Sequence, residues 1–207
     1  MNTGILLASG GLDSTTLAYW LKKCRVSFVP VFFDYGQHCV EKEWTTLQGV
    51  LPPGLPHPKR VDISDVFANS CSRLIKEADL WTETITDNDL YLPYRTLLFF
   101  SVAVSIAQSM NLGEVYSGFI NSNHAKELDC SADFLNSLEA LAAHVGPVRI
   151  HLPFREKSKT DVTRLAVQLG VPIGTTFSCQ VFSNTPCGAC PNCVERLNAI
   201  ANMEAEL

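Results

Sequence analysis

The sequence holds no apolar run long enough to cross a bilayer. The longest, LLFFSVAVSIA at 97–107, falls well short of the roughly 20 residues a spanning helix needs, and reads as a buried helix. No basic segment leads into a long apolar one near the start, so no secretory signal is expected and a cytoplasmic location is the simplest reading. Basic charge is scarce as well: 16 Lys and Arg stand against 21 Asp and Glu, a net charge of −5 with a pI near 5.5. Surfaces for nucleic acid or anionic lipid normally need a basic field, so neither partner is expected. No internal repeat, low-complexity tract or long linker is present, which leaves a single domain over 1–207.

Hydrophobic residues make up 46% and charged residues 18% of the 207, too apolar for a disordered chain. Short apolar runs at 5–8, 28–33, 60–64, 115–119 and 148–152 read as buried strands. Segments 14–23, 39–50, 96–112, 131–143 and 160–169 carry helical periodicity. Strands alternating with helices predict an α/β fold, a doubly wound and mainly parallel five-stranded sheet. SKTD at 158–161 has the spacing of a capping box, and Gly113 and Gly170 stand where helix C-caps belong. The polar, poorly periodic stretch 82–95 is a candidate active-site loop.

Between the first strand and the first helix lies SGGLDST, residues 9–15. In an open parallel sheet, ligands sit outside the carboxyl ends of the strands, and this turn is placed there. Gly10 and Gly11 let main-chain N–H groups approach an anion closely, and the helix N-terminus adds donors and partial positive charge. Ser9, Ser14 and Thr15 add hydroxyls, and Asp13 is placed to cap the helix or to help hold magnesium. The stretch lacks the Gly-Lys-Ser/Thr of a Walker loop and the spacing of a dinucleotide fingerprint. It resembles the SGGxDS signature of the ATP pyrophosphatases, the PP-loop, in which Leu12 is the variable position.

Eight cysteines are unevenly spread: Cys24, Cys39, Cys71 and Cys130 are scattered, whereas Cys179, Cys187, Cys190 and Cys193 fall within fifteen residues. Four thiolates at Cys-x7-Cys-x2-Cys-x2-Cys suffice for a closed tetrahedral site with no open position. Structural zinc is the expectation; an iron–sulfur cluster stays open, since four thiolates suit it equally. Such a site would pin segment 173–207, which ends in a short helix over about 193–205, and contribute on the order of 10 kcal/mol to folding.

Together the two motifs resemble the 7-cyano-7-deazaguanine synthase (QueC) family, and the resemblance runs along most of the chain. FDYGQHCVEKE (33–43) resembles its Asp/His-Tyr-x-Gln segment and His-x-x-Glu, one residue shorter after Gln37. YLPYRTLLFFSVAVSIA (91–107) resembles Val-Pro-x-Arg-Asn and its apolar helix. KTDVTRLAVQLGVP (159–172), TFSC (176–179) and CGACPNCVER (187–196) resemble its later motifs, in the same order. The resemblance implies an ATP- and Mg2+-using ligase with bound Zn2+, acting on 7-carboxy-7-deazaguanine and ammonia, and a homodimer. It implies that residues 9–15 hold the pyrophosphate and that Arg95, Lys159 and Asp13 act catalytically, the two cations on phosphate or carboxylate. Tyr35, Gln37, Arg95, Asn121 and Asp129 would meet the substrate. Arg196 would brace the zinc loop, while His38 and Glu41 fit a helix surface.

The pattern breaks on the substrate side. INSNHAKELDCSADF (120–134) keeps only Asn121, Asp129, Cys130, Asp133 and Phe134 of the family's segment, and Thr96, Phe177 and Gln180 replace Asn, Trp and Tyr. An enzyme that stops at the amide, or joins the deazaguanine to another amine such as one on a protein, therefore stays open. So do another PP-loop enzyme and a catalytically idle nucleotide-binding module. No glutaminase segment is present, which leaves free ammonia or an external amine as donor.

Overall fold

Residues alternating between two faces of a strand explain how the sheet is covered. In the computed structural model, which describes residues 3–79, 82–120, 131–182 and 184–205, the strands are β1 (Thr3–Leu7), β2 (Ser27–Asp34), β3 (Lys59–Asp62), β4 (Glu114–Ser117) and β5 (Arg149–His151). The helices are α1 (Leu12–Lys23), α2 (Val40–Val50), α3 (Arg95–Ser109), α4 (Ala132–Val145), α5 (Lys159–Leu169) and α6 (Pro191–Ala205). All strand pairs are parallel, in the order β3-β2-β1-β4-β5. Ile5 and Leu7 point to the face covered by Phe100 and Ala103 of α3 and by Leu135 and Leu138 of α4. Leu6 and Ala8 point to the opposite face, under Leu17 and Leu21 of α1, Leu47 of α2 and Val162 of α5. Period-two strands sandwiched between helices make a doubly wound α/β architecture.

The helix ends show local chemistry at work. Ser158 and Asp161 form a reciprocal capping box at α5, and Gly170 ends that helix in the left-handed region at φ 69°. The expectation for Gly113 is corrected: α3 ends earlier, with Asn111 left-handed at φ 56° and Leu112 N–H donating to Ala107 O at 2.8 Å. Asn tolerates that conformation through its short polar side chain, so the helix has already ended, at Ser109, four residues before the glycine. Asp13 does not cap α1, whose N-cap is Gly11 without a side-chain hydrogen bond. By length and composition Asn88–Ser109 is apolar enough to cross a bilayer, longer than the 97–107 run alone suggests. In the fold its Phe100, Ala103 and Ala107 are buried against the sheet.

Strand order reverses direction at β1, flanked by β2 and β4. A crevice forms at such a switch point, beyond the carboxyl ends of both strands. The site lies there. Leu17 is fully buried beneath the sheet at this point, so Leu17→Ala should cost about 2–5 kcal/mol in a urea titration.

Candidate active site

The turn after β1 is shaped by what packs on its two sides. Gly10 sits at φ +79°, where a Cβ would lie 2.8 Å from the Leu47 backbone nitrogen of α2. Only glycine meets both demands. On the other side a Cβ on Gly118, just past β4, would lie 3.0 Å from Asp13 O and 3.2 Å from Ser14 N, so β4 closes directly onto the first turn of α1. Within the turn Ser9 N–H donates to Ser14 Oγ at 3.2 Å and Gly11 N–H to Ser9 Oγ at 3.3 Å. The first-turn N–H groups of α1 have no partner within the helix and, with the helix dipole, favour an anion.

A cavity of about 350 Å³ opens beside this turn, walled by Ser9, Gly11 and Ser14 and by side chains from distant parts of the chain. Lys159, the first residue of α5, reaches Asp13 Oδ2 at 2.6 Å. That contact offsets the cost of a cation at a helix N-terminus. Asp13 Oδ1 is buried without a hydrogen-bond partner among the described residues. Arg95 enters from α3, its guanidinium 5.8 Å from the centre of the Tyr35 ring and hydrogen-bonded to that phenol. Burial pushes the Tyr35 phenol well above its usual range, so it stays neutral. Gln37 is pinned at both ends: Oε1 accepts from Tyr35 N–H at 2.8 Å, and Nε2 donates to Phe33 O at 3.1 Å and Glu43 Oε2 at 2.9 Å.

The four clustered cysteines converge. Their sulfur atoms all lie within 4.8 Å of one another, and Cys187 Sγ is 3.9 Å from Cys193 Sγ. A tetrahedral zinc with Zn–S of about 2.3 Å has sulfur–sulfur edges of about 3.8 Å, so the set fits a metal ion. The Cys190 and Cys193 thiols donate to Cys179, which pulls Cys179 below the usual thiol range and pushes Cys190 above it. Arg196 ties α6 to the preceding segment, donating to Thr176 Oγ1 at 2.8 Å, to Ser178 Oγ at 3.2 Å and to Ile173 O. The segment in turn reaches the glycine turn, where Phe177 N–H donates to Gly10 O at 3.1 Å.

Of the residues singled out from sequence, Ser9, Gly11, Leu12, Asp13, Ser14, Tyr35, Gln37, Arg95 and Lys159 line one cavity. Gly10 and Thr15 do not: Gly10 packs on α2 and Thr15 is fully buried. Asn121 and Asp129 lie outside the described residues. His38 bonds Gln180 O at 3.1 Å, and Glu41 pairs with Arg60 at 2.7 Å, away from the cavity. Leu90 brings the 82–95 stretch to the wall. Sequence reasoning missed Ser178, Glu195 and above all Glu43, which also line it. Glu43 had a readable signal: Val40, Leu47 and Val50 repeat at helical spacing, and Glu43 stands on that apolar stripe.

Burial pushes the Glu43 carboxyl up to about 7, against the opposing pull of its hydrogen bonds to Gln37 and Cys39 and of the Arg95 charge. A carboxyl raised on folding gains stability when protonated and loses it as pH climbs from the unfolded value of 4.5 to about 7. Glu43→Gln should therefore gain stability over the unsubstituted protein across that interval. The gain should reach on the order of 3 kcal/mol above pH 7, read from urea stability at pH 4 and pH 8.

Comparison with known proteins places this geometry. A solved 4-thiouridine synthetase, in an RNA complex with bound ATP, shares the fold at a TM-score of 0.57 and 20% identity, covering 99% of this chain and 52% of that one. The 7-cyano-7-deazaguanine synthase of Persephonella marina is 32% identical over 98% of this chain and 93% of its own. That of Archaeoglobus fulgidus is 30% identical over 94% and 84%, and that of Nitratiruptor sp. 28% over 98% and 95%. The family described as "Queuosine biosynthesis protein QueC" matches residues 3–204, and the chain belongs to that family.

Proposed function

We propose that the chain is an AMP-forming C–N ligase that activates the carboxylate of 7-carboxy-7-deazaguanine with ATP and delivers it to ammonia. The product would be the amide first and 7-cyano-7-deazaguanine after a second activation. The observation that carries this reading is one cavity that combines the Ser9–Ser14 turn, the Lys159–Asp13 pair and Arg95. Relatives named 7-cyano-7-deazaguanine synthase along nearly the whole chain support it.

A carboxylate oxygen leaves poorly until it carries a phosphoryl group. The substrate carboxylate attacks the α-phosphorus, pyrophosphate departs, and the acyl-adenylate forms. The turn and the N-terminus of α1 hold the departing pyrophosphate by main-chain N–H groups, and Lys159 meets the charge that builds on the phosphates. Arg95, fixed by Tyr35, orients the acid. Ammonia then displaces AMP. In the second round the amide oxygen takes the activating group and leaves with AMP, while the nitrogen loses two protons to become the nitrile. A magnesium ion would offset phosphate charge, and Asp13 Oδ1 is the oxygen left to hold it. The four thiolates would hold zinc in a closed, structural site.

A second reading, in which the chain stops at the amide or serves a different amine, including one on a protein, is favoured by Phe177 and Gln180. Both depart from the family's residues and both line the cavity. A homodimer in the cytoplasm, with no direct nucleic-acid partner, completes the proposal; light scattering reads the first.

Mass spectrometry of products from ATP, magnesium, 7-carboxy-7-deazaguanine and isotopically labelled ammonium tests the two readings. AMP with labelled nitrile is expected; AMP with amide alone would establish the second. Lys159→Ala should lower AMP formation by about 100-fold or more, read as labelled AMP per unit time. Elemental analysis should find one zinc per chain, and stripping it with a strong chelator should lower the thermal midpoint.

A further inference from the structure

Glu43 is a carboxylate on the apolar face of α2, a placement that costs stability unless something requires it. It lines the cavity beside Arg95, Tyr35 and Gln37. Oε2 is held by Gln37 Nε2 at 2.9 Å, and Gln37 is itself fixed by two backbone bonds, to Tyr35 N–H and Phe33 O. The groups that act on Glu43 are the Cys39 thiol and Gln37 amide from the β2–α2 connection and the Arg95 guanidinium from α3; it acts in turn on the Tyr35 phenol. Cys39 and Tyr35 are both pushed far up by burial and stay neutral. Arg95 is the one cation acting on the carboxylate among the described residues. Its carboxyl faces the cavity and burial brings its titration near neutrality, the range in which a proton acceptor works best.

The ligase reaction contains a step that needs such a group, and the inference rests on that reading. Near neutral pH the amine arrives as ammonium, which has no lone pair to attack with. We propose that Glu43 binds the incoming ammonium in the cavity and takes one of its protons, releasing ammonia beside the activated carboxyl. Ammonium and Glu43 carboxylate become ammonia and Glu43 carboxylic acid. The nitrogen lone pair forms the C–N bond while the bond from acyl carbon to the phosphate-bridging oxygen breaks, and AMP leaves with that electron pair. The surplus N–H proton passes to solvent, and Glu43 returns its own proton there before the next turnover. Glu43 is thus a catalytic residue of amide formation rather than of adenylation.

Single turnovers resolve the two half-reactions. Each variant is loaded with ATP, magnesium and 7-carboxy-7-deazaguanine, and the rate of amide formation is divided by the rate of adenylate formation. Glu43→Gln should lower that ratio about 100-fold with ammonium, and hydroxylamine, already neutral near pH 7, should restore it to within a few-fold of the unsubstituted protein. In the unsubstituted enzyme, amide formation at fixed total ammonium should level off above about pH 7. Free ammonia reacting without a base would instead keep rising tenfold per pH unit. An unchanged ratio in Glu43→Gln, or an equal loss with ammonium and hydroxylamine, would reduce Glu43 to a positioning residue and overturn the assignment. The pH profile decides the matter on its own if the variant is poorly folded. Absence of AMP from the unsubstituted enzyme would overturn the ligase reading, and this assignment with it.

Discussion

Two missing side chains set the geometry on which everything else rests. A methyl group at residue 10 would strike the backbone of α2 at Leu47, and one at residue 118 would strike the first turn of α1 at Asp13 and Ser14. These contacts draw α1, α2 and the end of β4 together at the strand ends. The helix N-terminus, with its unpaired N–H groups, is thereby aimed into the crevice instead of at solvent. Lys159 can reach Asp13 only because α1 and α5 pack side by side on the same face of the sheet. A larger residue at 118 would displace the first turn of α1, and with it the Asp13 carboxylate that Lys159 holds, even with every polar side chain retained.

The fold was largely legible because its signals are local. Apolar runs, helical periodicity and the cysteine spacing placed the five strands and six α-helices of the described residues to within a few residues, and the Ser158–Asp161 box formed where its spacing indicated. Where the reading slipped, a competing local rule was responsible. Asn111 took the left-handed position that Gly113 was expected to fill, since an Asn can end a helix when it comes first. The cysteine cluster was legible for the same reason: three of its four members lie within seven residues, and the fourth is a short loop away.

The cavity was legible in part, and the misses share a cause. A motif names residues near an anion without saying which side chains face it. Thr15 and Gly10 belong to the motif yet support the turn from behind. Glu43 closes the segment 33–43, whose His-x-x-Glu spacing drew attention to Glu41 instead; its position on an apolar stripe gains meaning once α2 is seen to lie against the site. Ser178 and Glu195 reach the wall because the cysteine-bearing segment folds back over it, a tertiary event that spacing along the chain does not encode.

The fold-back makes the two ends of the chain one mechanical unit. Phe177 N–H bonds Gly10 O, two residues before the first clustered cysteine, and Arg196, three residues after the last, grips Thr176 and Ser178 on either side of Phe177. Whatever orders the thiols thus also orders the glycine turn at the cavity. Coupling of this kind is reciprocal: a factor by which ion occupancy sharpens anion affinity must reappear, unchanged, as the factor by which the anion retains the ion. Scarcity of metal would then weaken any grip on nucleotide, and abundant nucleotide would raise the affinity for metal.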